Sequence, residues 1–276
     1  MADAGRPEPG PAGDAVPGLI QEALQAAAAG DEQRRWDLVC RLHRDGGLPA
    51  LEAARQLCVS QDAAQRQLGV DILGQLGIAA ARAASRGPFR DAAVRQLLDT
   101  VRDEREGAVL QAIAVAFGHL GDARCVPPLG ALRTHPDADV RCAVAFGLLG
   151  LPERAALDLL VSLSADPEPR VRDWATFGLA RQSAADFAAL RDALVRRLAD
   201  PDLDTRAEAI HGLATRGDRR AIPPLLEALA GPWPGSDPHL IDEALYALAA
   251  TTGDQRLCAQ ITVRRDRWLA DEVGGE

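Results

Sequence analysis

The sequence contains no lysine and no asparagine: all 31 of its basic residues are arginine. Without lysine there is no Schiff-base amine, no internal aldimine to pyridoxal phosphate and no P-loop lysine on a nucleotide phosphate, which excludes several large enzyme classes. Coding in a very GC-rich genome produces this bias. Cysteine is sparse as well. Cys40, Cys58, Cys125, Cys142 and Cys258 are odd in number and form no C-x-x-C pair, in a chain of 276 residues too large to need disulfide staples, so reduced thiols are expected. No run of about 18 uncharged apolar residues is present, and residues 1–17, MADAGRPEPGPAGDAVP, have neither a basic start nor an apolar core. The expectation is a soluble cytoplasmic protein with no membrane partner. Residues 1–17 form a disordered Pro/Gly/Ala-rich tail, and residues 18–276 form the folded part.

Positive charge is also in short supply. The formal net charge is −9, whereas a protein that neutralises many phosphates needs concentrated basic charge to release counterions, so nucleic acid is not an expected partner. With 47% hydrophobic and 26% charged residues the chain can bury a large core, yet it exceeds the usual size of one compact globule. Two domains or one elongated array would both fit.

What is abundant is repetition. VRCAVAFGLLG (140–150) returns as VRDWATFGLARQ (171–182), and seven copies align on the reference residues Arg35, Arg66, Leu110, Arg141, Arg172, Arg206 and Asp242, at spacings of 31, 44, 31, 31, 34 and 36 residues. Each copy holds an apolar helix such as PPLLEALA (223–230), an acidic turn such as DPDLD (200–204) and a second helix such as TRAEAIHGLATRG. A helix pair of this size exposes one apolar side unless its neighbour covers it. Pro127-Pro128 and Pro223-Pro224 suit first helical turns, and Gly121, Gly150, Gly217 and Gly253 suit left-handed stops after second helices. Asp137, Asp139, Asp166, Asp200, Asp202 and Asp204 precede second helices, where carboxylates cap free amides.

The runs VRCAVAFGLLG, VRDWATFGLARQ, TRAEAIHGLATRGDRRAIPPLLEAL and AIAVAFGHLGDARCVPPL resemble the short HEAT-like repeats named after phycobilin lyases, over roughly residues 31–260. The resemblance implies an all-α fold, a right-handed α-α superhelical solenoid of about seven short helix pairs, with QRLCAQITVRRDRWLADE (255–272) as a C-terminal capping helix. It is nearly silent about activity, because such arrays serve as scaffolds, inhibitors, lyase subunits and a few enzymes.

Counting the reference residue as zero, positions −1, 3 and 7 recur as apolar and should pack, while small residues at position 6 (Ala116, Gly147, Gly178, Gly212) let helices approach. Arg66, Arg141, Arg172 and Arg206 recur beside acidic turns and form a structural ladder of ion pairs. Positions 1, 5 and 8 vary and should line the concave face, with Phe146 and Phe177 side by side and Asp71, Asp173 and Glu243 at the rim. The partner-binding candidates are Cys142, Phe146, Leu149, Asp173, Phe177, His211 and Trp233. Both phenylalanines are groove residues on this register and core residues if it slips by one, and the sequence leaves both open. Trp233, in the insertion 231–239, is either a partner anchor or tucked on its own repeat, and the insertion 78–90, with Arg82, Arg86 and Arg90, reads as a solvated linker.

Enzymatic readings find little support. The HEAT-repeat deoxyhypusine hydroxylase needs His-Glu dipeptides around a di-iron centre, whereas no histidine here is followed by glutamate and no pair has metal-ligand spacing, so neither metal nor other cofactor is expected. A HEAT-like DNA glycosylase needs a basic face, against which only RRWDLVC and RVRDWA place Trp beside Asp and Arg, and burial explains Trp174. A phycobilin lyase-like subunit is the stronger alternative, since an apolar and acidic groove suits a tetrapyrrole. The expected function is a non-catalytic scaffold that binds a protein or peptide.

Overall fold

The computed structural model describes residues 15–76, 87–230 and 235–263. Among them lie fourteen α-helices with both ends described, a further helical stretch at 255–263, two 3-10 turns and no strand. The helices fall into seven successive pairs: α1 (Val16–Ala28) with α2 (Glu32–Asp45), α3 (Gly47–Leu57) with α4 (Ala63–Gln75), α5 (Arg90–Asp103) with α6 (Gly107–Leu120), α7 (Val126–Leu132) with α8 (Ala138–Gly147), α9 (Arg154–Leu163) with α10 (Pro169–Ala180), α11 (Ala188–Arg197) with α12 (Leu203–Ala214), and α13 (Ile222–Ala228) with α14 (Pro238–Thr252). The fold class is an all-α helix-pair solenoid. All seven reference residues fall on even-numbered helices. Most of the expected tail lies outside the described residues, and α1 already starts at Val16. Of the expected capping helix, residues 255–263 are helical and the remainder lies outside the described residues.

Two compact units divide the chain, residues 1–147 and 148–276. In the first, each second helix packs on the next, α2 on α4, α4 on α6 and α6 on α8; in the second, α10 packs on α12 and α12 on α14. The apolar period explains this stacking. Positions −1, 3 and 7 are buried as Val109, Ile113 and Phe117 in α6, Val140, Val144 and Leu148 along the α8 segment, Val171, Ala175 and Leu179 in α10, and Thr205, Ala209 and Leu213 in α12. Each fully buried Leu or Val contributes about 1.5–3 kcal/mol of apolar transfer.

Helix ends follow local chemistry. Prolines sit at N1/N2 of α7 and α13. Gly121, Gly150, Gly217 and Gly253 adopt φ of 56°, 69°, 62° and 63°, the left-handed region that only glycine enters cheaply. Asp202 caps α12 by accepting from Thr205 N at 2.8 Å.

The ladder arginines make a more specific joint than an ion pair beside a turn. Arg66, Arg141 and Arg172 each donate through Nη1 to the carbonyls six and five residues back, and Arg206 donates to the carbonyl six back, closing their own inter-helix turns. In Arg66 and Arg172 the other edge of the guanidinium reaches forward to the acid at position −6 of the next copy. Arg66 grips Glu104 at 2.7 and 3.1 Å, and Arg172 grips Asp200 at 2.8 and 3.0 Å. Those acids in turn accept backbone N–H groups of the next turn: Glu104 from Arg105 and Glu106, Asp200 from Asp202. Burial is the largest single effect on Asp200 and opposes ionisation, yet Arg172 and the Asp202 N–H together hold its carboxyl below the usual range.

Position 6 is a true close approach. A Cβ on Gly147 would lie 2.6 Å from the Ala114 carbonyl oxygen, and one on Gly212 would lie 2.7 Å from Ala180 Cβ and 2.9 Å from Ala180 Cα. Helix propensity alone would favour Gly→Ala by about 1 kcal/mol. Overpacking against backbone reverses the sign, so Gly147→Ala and Gly212→Ala are each expected to cost about 1–3 kcal/mol in urea unfolding. A stabilised variant would show that the helices are not in contact there.

Candidate functional site

With positions −1, 3 and 7 committed to packing, the face left to each second helix is the one carrying positions 1 and 5. In α6 these are Gln111, exposed, and Val115, half-buried; in α8 they are Cys142 and Phe146, both half-buried; in α10 they are Asp173 and Phe177, both half-buried; in α12 they are Ala207, buried, and His211, half-buried. Position 8 is half-buried as Gly118 and Leu149, and buried as Ala180 and Ala214. The face is therefore narrower in α12 than the alternation suggests, because Gly212 brings α12 onto Ala180.

In residues 1–147, Phe146 lies over Gly118 and meets His119 edge-on, with ring centroids 5.5 Å apart and planes at 72°. In residues 148–276, Phe177 meets the edge of Trp174 at 6.0 Å and 89°, and the Arg181 guanidinium lies 5.8 Å from the Phe177 ring. Neither phenylalanine is sealed as Phe117 is. Trp233 lies outside the described residues, as do residues 78–86 of the arginine-rich insertion.

The second unit brings together a cluster that the seven candidates only partly anticipated. From α10 come Asp173 and Arg181, the C-cap; from α12 come Glu208 and His211; from α14 come Glu243 and its N-cap Asp237. Arg181 Nη1 stands 3.8 Å from Glu208 Oε1 and 3.9 Å from Asp237 Oδ2, within ion-pair range of both and hydrogen-bond range of neither. His211 Nε2 lies 3.5 Å from Glu243 Oε2. Glu208 Oε2 and His211 Nδ1 are buried without a hydrogen-bond partner.

Burial pushes the Glu208 carboxyl up to about 7, with Asp173 and Asp237 adding to the rise and Arg181 opposing it. Burial likewise pushes Asp173 up to about 6, helped by Asp202 and Asp204. Burial lowers the His211 imidazole, against the pull of Glu243. Among the described residues no group of three or more His, Cys, Asp or Glu is placed to hold a metal ion.

Several expectations need correction. Trp174 is 36% exposed, since position 2 turns away from the packing row. Asp71 is no rim residue: its carboxylate is buried 2.6 Å from Arg35 Nη1. Arg90 is not part of a solvated linker, for it opens α5 and donates to the Leu120 and Gly121 carbonyls, closing the end of α6. Other joints escaped notice altogether. Arg216 donates to the carbonyls of Leu179, Ser183, Ala185 and Gly212, and so ties the loop after α10 to α12. A readable signal did exist for another: Gly-Asp-x-Arg occurs at 121–124, 217–220 and 253–256, and each Asp caps the N–H of its Arg while binding the guanidinium. Cys58 and Cys125 are buried thiols that burial pushes up to about 12, leaving them unreactive.

Stacked helix pairs with a constant packing row and a variable second-helix row define a helical-repeat solenoid. The chain belongs to the HEAT repeat family, whose pattern matches residues 94–180 and 157–249, more than half of its length. Protein YibA of Escherichia coli (strain K12) is 27% identical over 191 residues, an alignment covering 67% of this chain and 65% of YibA, so the chain spans just under two thirds of that relative. The crystal structure of E. coli YibA superposes with a TM-score of 0.69 at 22% identity, over 94% of this chain and 92% of that one, a likeness of fold. The complex of CpcE and CpcF of phycocyanin lyase from Nostoc sp. PCC7120 aligns over 95% of this chain and 97% of that one, at 18% identity and a TM-score of 0.45, too distant to transfer a function.

The raised carboxyls have a measurable consequence. Asp173 and Glu208 hold a proton more tightly in the fold than in the unfolded chain, so the stability they contribute is complete below about pH 4 and is lost as pH rises through 6 to 7. His43, His119 and His211, all lowered, act in the opposite sense, their contribution failing as pH falls. Comparison with Asp173→Asn/Glu208→Gln isolates the carboxyls: between pH 5 and pH 8 the variant should gain about 1 kcal/mol or more on wild type in urea unfolding. Parallel pH profiles would show that both groups titrate normally.

Proposed function

We propose that this chain is a binding scaffold whose second-helix face takes a peptide or protein partner and performs no catalysis. The observation that carries this is the division of labour within each second helix. Positions −1, 3 and 7 are buried in α6, along the α8 segment, in α10 and in α12, whereas the neighbouring row of α6, α8 and α10 is at least partly open to solvent and differs in chemistry from copy to copy, as Gln111 and Val115, Cys142 and Phe146, Asp173 and Phe177. A row that packing does not constrain, yet that carries half-exposed aromatics, is suited to recognition, because such side chains give most binding energy when a partner covers them. The net charge of −9 favours a protein over a nucleic acid as the partner.

The test is affinity capture from a soluble extract of the source organism with wild type and with Phe146→Ser/Phe177→Ser, read by quantitative mass spectrometry. A specific partner retained by wild type should be depleted at least tenfold from the double variant, whose melting temperature stays within about 2 °C of wild type, a shift of roughly 1 kcal/mol or less. Equal capture, or a collapse in melting temperature, would contradict the assignment of these residues to the binding face.

A further inference from the structure

We propose that the α10–α12–α14 face of residues 148–276 is a receptor for a cationic side chain, an arginine or lysine of the partner; this rests on the scaffold role proposed above. Charge comes first. Asp173, Glu208, Asp237 and Glu243 converge from three helices, and the Arg181 guanidinium among them is too far from Glu208 and Asp237 to hydrogen-bond either. The feature is local to this part of the array, since the positions equivalent to Asp173 and Phe177 in α6 are Gln111 and Val115.

The second observation identifies what is missing. Buried polar atoms without partners are rare because each loses its hydration and gains nothing in return. Here Glu208 Oε2 and His211 Nδ1 are both in that condition, on side chains only 12% and 13% exposed. The Thr205 hydroxyl, on a wholly buried residue, faces Asp173 closely enough to draw its carboxyl back but outside hydrogen-bond geometry. Glu208 Oε2 is an acceptor when ionised. With the imidazole proton on Nε2, the nitrogen that faces Glu243, His211 Nδ1 is an acceptor too. The vacant partner of both is therefore a donor, and a guanidinium fork or an ammonium supplies several donors together with the charge that the carboxylates lack.

A third feature completes the receptor. The Phe177–Trp174 pair borders the acids from α10, with Trp174 partly open to solvent, so an alkyl stem or guanidinium plane has an aromatic surface to lie against. Arg181 already stands near the Phe177 ring, so the incoming cation joins or displaces it.

Isothermal titration calorimetry of the full chain with acetyl-tetra-arginine amide, at pH 8 and 50 mM salt, tests this. Saturable 1:1 binding is expected, weakened at least tenfold by Asp173→Asn/Glu208→Gln and at least threefold by Glu243→Gln, whose exposed side chain can be replaced without unfolding risk. Asp99→Asn/Asp103→Asn removes the same net charge from the exposed surface of α5 and should change affinity less than twofold. Absence of saturable binding, or equal weakening by the α5 control, overturns the proposal. Partner capture through Phe146 and Phe177 by a chain that ignores the peptide would overturn this inference alone. Peptide binding by a chain that captures no protein would overturn the scaffold role alone.

Discussion

A buried guanidinium clamped between two consecutive turns is the interaction on which the rest of the structure depends. Apolar stacking is non-directional: it drives one helix pair onto the next but tolerates sliding and rotation. The Arg172 side chain removes that freedom. It satisfies two carbonyls of its own turn and two carboxylate oxygens of Asp200, which also accepts from Arg197 and caps the turn leading into α12. Arg66 repeats the arrangement with Glu104 in the other unit. Each clamp sets one second helix in register with the next, and with it the row of side chains that the packing leaves open.

Register is what turns neighbouring copies into a surface. The buried row is mostly apolar, so its chemistry varies little; the adjacent row is less constrained by packing and can differ. In the second unit that freedom has produced something apolar packing would not tolerate at random: two carboxyls raised by burial, an imidazole lowered by burial, and acceptor atoms without donors. Such features cost stability, and a solenoid whose neighbours hold it together can bear them locally.

The parts legible in the sequence were those written at short range. The 3.6-residue period located the buried row, glycines marked the left-handed stops, and small residues at position 6 marked the close approaches. What escaped was set by distances through space. The acids that receive Arg66 and Arg172 lie 38 and 28 residues ahead, at a position in the next turn that only the stacked geometry identifies. Arg90 and Arg216 bind carbonyls, groups present at every residue and therefore invisible in composition. Asp173 and His211 were recognisable as variable positions, but Glu208, one place off the expected row, joined them only because α12 sits close to α10. The exposed edge of Trp174 was missed because burial is the default expectation for a tryptophan.

The central claim is that the forward clamp couples one repeat to the next. A double-mutant cycle on Arg172 and Asp200, with Arg172→Met, Asp200→Asn and the double variant compared in urea unfolding, measures that coupling directly. Each single change leaves a buried partner uncompensated and should cost about 3–5 kcal/mol, while the double change should cost less than their sum by about 2 kcal/mol or more. Additive losses, with a coupling energy under about 0.5 kcal/mol, would mean that stacking alone sets the register and would contradict the account.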